Sequence, residues 1–228
     1  MRESLMKANA LTTINASRAT ASIWGILAGL GGLTHGIGEV RQGNVAPDGL
    51  IIASWTTGPI ATNMGGEPAM TIIPNLLVTG LLTIIVSLAV IVWAVAFVQR
   101  QHGGRGLIFL SLGMLLVGGG FGPPIMGLIA GWAGSGINSP LTWWRTHLST
   151  TIRHSLAKLW PWVFSVCLMA SLLLVIGSVI LVYFFNVNNA DFFSNLFLCV
   201  VGLLLLTVVT GFGYDLHNRE PGVTEATS

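Results

Sequence analysis

Long apolar runs constrain this chain more than any other feature of its sequence. No charged side chain occurs between Met70 and Val98, and this run exceeds the roughly 20 residues that an α-helix needs to cross a bilayer. Only 8% of the 228 residues are charged and 53% are hydrophobic, whereas soluble domains carry about 25% charged residues. Such a chain cannot cover a soluble surface with polar groups. The sequence therefore predicts an integral membrane protein that is embedded in the lipid bilayer.

The spacing of the apolar runs predicts an all-α polytopic membrane helix bundle with about five transmembrane segments. We expect these spans at 19–40, 70–98, 107–133, 161–185 and 192–214. The third is broken by GGGFGPP, in which consecutive glycines and two prolines interrupt a helix. Two alternatives follow: one full crossing with a hinge, which we favour, or a half-span that turns and returns to the same side. The hinge residues are Gly120, Gly122, Pro123 and Pro124.

The domain organisation that we expect is a single bundle, 19–214, with polar ends. Residues 1–18 form a cytoplasmic N-terminal segment, 41–69 an outer loop, 140–160 an interfacial amphipathic segment and 215–228 a polar C-terminal tail. Positive charge favours the cytoplasmic side of a membrane. The basic N-terminus and the Arg100–Arg105 loop therefore predict a plasma-membrane protein whose N-terminus lies in the cytoplasm. Simple alternation over five spans would leave the basic 140–160 segment outside, against this rule.

A stripe of small residues runs along the first predicted span. Small residues at helical spacing let another helix approach closely. The stripe predicts a packing face for other membrane helices, in a homo-oligomer or a hetero-complex. Its members are Gly25, Gly29, Gly32 and Gly36.

The first span also carries the candidate polar site. His35 and Glu39 lie four residues apart, so their side chains project from the same helix face. Glu67 and Asn75 fall at the same outer ends of the first two spans. Three interpretations are open: a helix end at the headgroup level paired with Arg41, a solute or proton pathway, or a divalent-metal site, since imidazole and carboxylate ligate zinc, manganese or iron.

The amphipathic segment at 140–160 combines basic residues with tryptophan. This composition is typical of a helix lying at the membrane surface or of contact with a lipid headgroup. The interfacial candidates are Trp143, Trp144, Arg145 and His147.

Composition and motifs leave three classes of function. The net charge of +2, with scattered basic residues, predicts no nucleic-acid partner. The sequence has no GxSxG elbow, no GxxxxGK[ST] loop and no CxxC pair, and it identifies no cofactor. A small transport protein with an outward-facing polar site and a non-catalytic structural subunit of a larger membrane complex stand level. A membrane-embedded lipid-modifying enzyme is the third alternative.

Overall fold

A computed structural model describes residues 15–219, whose regular structure is helical apart from one two-stranded antiparallel hairpin. Most of the predicted N-terminal segment and C-terminal tail therefore lies outside the described residues. The elements are α1 (Ala16–Gln42), β1 (Ile51–Ala53), α2 (Pro59–Asn63), β2 (Pro68–Met70), α3 (Leu76–Ala96), α4 (Gly103–Leu116), α5 (Gly122–Ser135), α6 (Thr142–His147), α7 (Thr150–Leu172), a π-helical turn π1 (Leu173–Gly177), α8 (Ser178–Phe185) and α9 (Ala190–Asn218). The fold is therefore all-α, as the sequence predicts.

Three helices are long and apolar enough to cross a membrane: α3, α9 and the continuous helix Thr150–Phe185 that joins α7, π1 and α8. The 21 residues of α3 extend about 31 Å at a rise of 1.5 Å per residue. This length matches the roughly 30 Å hydrocarbon core of a bilayer. The described part of the chain is thus an integral membrane fold.

Helix α1 lies at the centre of the bundle, packed along α3 on one side and α5 on the other. A Cβ added to Gly25 would lie 2.6 Å from Cβ of Ala94, and one added to Gly36 would lie 2.9 Å from the Gly80 carbonyl oxygen. A Cβ on Gly32 would meet Ser87 and Met114. The small-residue stripe of α1 is therefore covered by α3 and α4 of the same chain.

Helices α4 and α5 form an antiparallel hairpin. A Cβ on Gly131 would lie 2.9 Å from the Gly104 carbonyl oxygen, so the end of α5 lies beside the start of α4. The chain reverses at a tip, 117–121, where Gly118 and Gly120 have φ of 110° and 76°. A right-handed helix cannot continue through positive φ values, and glycine adopts them readily because it has no Cβ. The chain thus turns at the tip and returns to the same end of the bundle, as in the second alternative, and the count of five crossings that we favoured from the sequence is not confirmed.

The amphipathic segment at 140–160 does not form a helix of its own. It comprises α6 and the first turns of α7, and the helix continues from Thr150 through Pro161 to Phe185. Ser149 caps this helix by accepting a hydrogen bond from the Ile152 amide. The ring of Trp160 packs 4.7 Å from that of Tyr214. The helix therefore has no break at residue 161, because capping and packing stabilise the earlier turns as helix.

The bundle has two ends of different composition. At the end that we call basal, Asp215 of α9 accepts hydrogen bonds from the Ala16 and Ser17 amides at the start of α1. Asn138, just after α5, donates to the Gln99 carbonyl in the α3–α4 connection. At the opposite loop end lie the β-hairpin, the 117–121 tip and the α8–α9 connection. The described Lys and Arg side chains other than Arg41 belong to basal segments, namely Arg18, Arg100, Arg105, Arg145, Arg153, Lys158 and Arg219.

Candidate functional site

The candidate site is a buried polar network at the loop end. His35 and Glu39 are 6% and 0% exposed, and Ser54, directly after β1, lies between them. The Ser54 hydroxyl lies 2.8 Å from Nδ1 of His35 and donates to Oε1 of Glu39 at 3.1 Å. The helical spacing thus gives the two side chains one environment, but a third residue bridges them.

Thr83 of α3 connects Glu39 to the hairpin tip. Its hydroxyl lies 3.3 Å from Oε2 of Glu39 and also within hydrogen-bond distance of the Val117 carbonyl oxygen. One hydroxyl proton cannot serve both acceptors. When Thr83 donates to Val117, a proton on Glu39 completes the network by donating to Thr83. The geometry therefore accommodates a protonated Glu39.

Two glycines of the tip bring its backbone against these side chains. A Cβ on Gly118 would lie 2.6 Å from both carboxylate oxygens of Glu39, and one on Gly120 would overlap the His35 ring. The sequence predicted Gly120 as a hinge residue, and the structure places it at a close approach to the polar network. Gly122, Pro123 and Pro124 instead form the first turn of α5.

Glu67 joins the network from the outer loop. Its Oε2 atom lies 3.8 Å from Nε2 of His35, and this buried oxygen has no hydrogen-bond partner within the described residues. Desolvation by burial raises the pKa of the Glu67 carboxyl to about 7. Glu67 can therefore gain and lose a proton near neutral pH.

A cavity of about 300 Å³ opens beside His35 and Glu67. It lies between α1, the start of α5, the π1–α8 region, the start of α9 and the outer loop. Two residues of the π-helical turn contribute to its wall, and such turns occur frequently at functional sites. The apolar side chains that line it include Phe121, Met126, Leu174, Val175, Phe193 and Phe197.

Asn75 is not part of the network. Its side chain accepts a hydrogen bond from the Val78 amide at 3.1 Å, which caps α3, and it donates to Asn44. Arg41 does not pair with Glu39 either, because its guanidinium lies over the Trp55 ring, 5.9 Å from the centroid. Between residues 15 and 219 no group of three or more His, Cys, Asp or Glu side chains is arranged to hold a metal ion. The geometry therefore does not support the metal interpretation.

The predicted interfacial residues lie on α6 at the basal end. Trp143 stacks on His147 with ring centroids 4.6 Å apart, while Trp144 packs edge-on against Phe212 at 5.4 Å. Arg145 is exposed. These four residues are at the opposite end from His35 and Glu39 and do not contribute to the polar network.

Sequence reasoning missed Ser54 and Thr83. Ser54 has no recognisable signal, because a single serine after an apolar strand is common. Thr83 does have one, since Thr79, Thr83 and Ser87 recur every four residues in an otherwise apolar span. That spacing places hydroxyl groups on one helix face, and all three are fully buried.

The fold and the site together define an all-α integral membrane protein with a buried ionisable network at one end of its helix bundle. No protein-family model, curated protein or solved structure matches the chain. The function must therefore be argued from the site itself.

Proposed function

We propose that this chain is a small membrane transport protein whose outward-facing polar site moves protons and also takes up a small solute from the cavity beside it, so that proton movement does not require the solute. The observation that carries the proposal is the buried row of polar groups that begins at the cavity wall and crosses the loop end of the bundle. It runs from Glu67 through His35, Ser54 and Glu39 to Thr83. Ionisable residues within a membrane bundle are costly and mark ion or proton pathways.

The face of α3 that packs against α1 supports an outward-facing site. Near the loop end this face carries Thr79, Thr83 and Ser87, all fully buried. Toward the basal end it continues with Val90 and Ala94, which are also fully buried but apolar. On this face of α3 the buried hydroxyl groups therefore lie only in the half nearer the loop end, which fits a site open to that side.

Charge distribution supports an orientation with the basal end in the cytoplasm. The basic residues cluster there, and positive charge favours the cytoplasmic side. Because the α4–α5 hairpin returns to the basal end, the basic α6–α7 region lies at the same end as the start of α1. The conflict found in the sequence thus disappears. We infer that α1, α3, α7–α8 and α9 cross the cell membrane and that the hairpin enters from the cytoplasmic side.

The alternative of a non-catalytic subunit in a larger complex depended on a free packing face on α1. Residues of α3 and α4 cover that face at Gly25, Gly32 and Gly36. This observation favours transport over a subunit that docks through α1. It does not bear on the lipid-modifying enzyme, for which Ser54 and His35, 2.8 Å apart, are the pair in this network that could serve as nucleophile and base.

Proton movement into liposomes tests the proposal. The purified chain is reconstituted with a trapped pH-sensitive dye, and a potassium diffusion potential drives protons inward. We expect uptake above that of empty liposomes, reduced at least tenfold by Glu39→Gln and by Ser54→Ala. Asp48→Asn is the matched control, because Asp48 is an exposed carboxylate at the same end. Uptake equal to that of empty liposomes, or unchanged in Glu39→Gln, would rule out the proposed pathway.

A further inference from the structure

We propose that the cavity beside His35 and Glu67 binds a hydrophobic organic amine, with its ammonium group at Glu67 and its apolar body against the phenylalanine-rich wall. This inference rests on the proposed function and names the substrate class of the same site.

The polar wall of the cavity contains a carboxylate oxygen that lacks a hydrogen-bond donor from the described part of the chain. Oε2 of Glu67 is buried and lacks a hydrogen-bond partner among the described residues, and such an oxygen is costly to leave unsatisfied. Its separation of 3.8 Å from Nε2 of His35 is too long for a direct hydrogen bond. An ammonium group has three donors, so it can lie beside this pair and donate to both the carboxylate and a neutral imidazole.

The charge around the cavity favours a cation. None of the described residues that line it is Lys or Arg. The titratable groups that face Glu67 are His35 on α1 and, behind Ser54, Glu39. Arg41 lies at the same end, but its guanidinium is placed over Trp55. An anion would meet Glu67 without a fixed counter-charge, whereas an ammonium ion would supply the missing one.

The remaining wall fits an apolar or aromatic body. Phe121 comes from the hairpin tip and Phe193 and Phe197 from α9, with Leu174 and Val175 from the π-helical turn. Aromatic faces attract cations as well as apolar groups. A volume of about 300 Å³ falls at the lower limit of ligand pockets, about 300–1,000 Å³. The cavity therefore suits a small amine with one aromatic ring or a short alkyl chain.

Three probes with the same phenyl group and different heads test the proposal on the full chain in detergent. They are 2-phenylethylamine, 2-phenylethanol and 3-phenylpropionate, compared by calorimetric titration above the Glu67 pKa of about 7. We expect the amine to bind at least tenfold more tightly than the alcohol, and the carboxylate to bind most weakly. The ligand class would be overturned if the amine and the alcohol bound equally, if the carboxylate bound most tightly, or if no probe bound. The comparison uses the wild-type protein and needs no variant.

Variants then locate the binding site. Glu67→Gln should abolish the preference for the amine while retaining binding of the alcohol, and Phe197→Ala should weaken both. Asp48→Asn should change neither. An amine preference that persists in Glu67→Gln would contradict the assignment. Proton uptake by liposomes without an amine preference would refute only the ligand class, whereas amine binding without proton uptake would refute the transport function.

Discussion

At the scale of single residues, Glu67 shows how the fold holds a carboxylate where water cannot fully solvate it. Its backbone has a φ of 52°, which non-glycine residues adopt infrequently, and its side chain is only 20% exposed. The side chain lies 3.8 Å from the His35 ring and not in bulk solvent. Backbone strain and an unpaired buried oxygen are features typical of binding and proton-exchange sites.

Glu67 should make the stability of the protein depend on pH. Burial raises its pKa from 4.5 to about 7, so between these values the folded state binds more protons than the unfolded state. Stability should therefore fall as pH rises through this range, by up to about 3 kcal/mol for a shift of this size. Melting in detergent across this pH range should show a decline for the wild type that is reduced in Glu67→Gln. An identical pH profile for the two proteins would contradict this assignment, and Asp48→Asn controls for loss of a carboxylate.

Gly118 tests the close approach between the hairpin tip and Glu39. Ala at this position places a Cβ 2.6 Å from both carboxylate oxygens at a φ of 110°. We expect Gly118→Ala to lower the free energy of unfolding by about 1–3 kcal/mol, a typical cost of strain and overpacking. Gly113→Ala is the matched control, because Gly113 lies inside α4 with nothing within 4 Å of an added Cβ. It should be neutral or stabilising; equal melting temperatures for the two variants would show that the tip is loosely packed.

At the scale of elements, the α4–α5 hairpin was the part of the fold that the sequence left undecided. GGGFGPP is compatible with a kink or a reversal, because glycine and proline interrupt a helix without fixing its new direction. The direction depends on long-range packing of Gly104 against Gly131 and on the pairing of Thr71 with Val117. The apolar runs of α3 and α9 were predictable, since length and hydropathy are local properties. Ser54 was not predictable, because its role depends on a strand pairing distant in sequence.

The hairpin makes a specific prediction about accessibility. Because α4 starts and α5 ends at the basal end, we expect His102 and Asn138 to lie on one side of the membrane and Asp48 on the other. Single cysteines at these positions, in a background lacking Cys167 and Cys199, are exposed to an impermeant thiol reagent in intact cells. We expect labelling at Asp48 only, with His102 and Asn138 labelled after permeabilisation. Labelling of Asn138 but not His102 in intact cells would restore the single full crossing.

At the scale of the whole molecule, α1 organises the bundle because other helices cover it on several sides. Its start is held by Asp215 of α9, its glycines contact α3, and His35 and Glu39 meet the outer loop and the tip. The same helix therefore supplies both the packing core and the polar network. Because α1 also contributes to the cavity wall, any displacement of α1 would change the shape of the cavity. The stability of the bundle and the geometry of the site therefore depend on the same helix.

The final prediction concerns what the glycine face of α1 packs against. A Cβ on Gly29 would lie 2.8 Å from the Ser87 backbone oxygen and would also overlap Ile91, so Gly29→Leu must push α3 away from α1. Because the face is covered within the chain, we expect a lower melting temperature, with a cost of at least about 1–3 kcal/mol, and no change in the assembly mass measured by light scattering. Gly202→Leu on α9, where nothing lies within 4 Å of an added Cβ, should leave melting unaltered. An unchanged melting temperature in Gly29→Leu with dissociation of an oligomer would instead assign this face to another subunit, and with it the structural-subunit function.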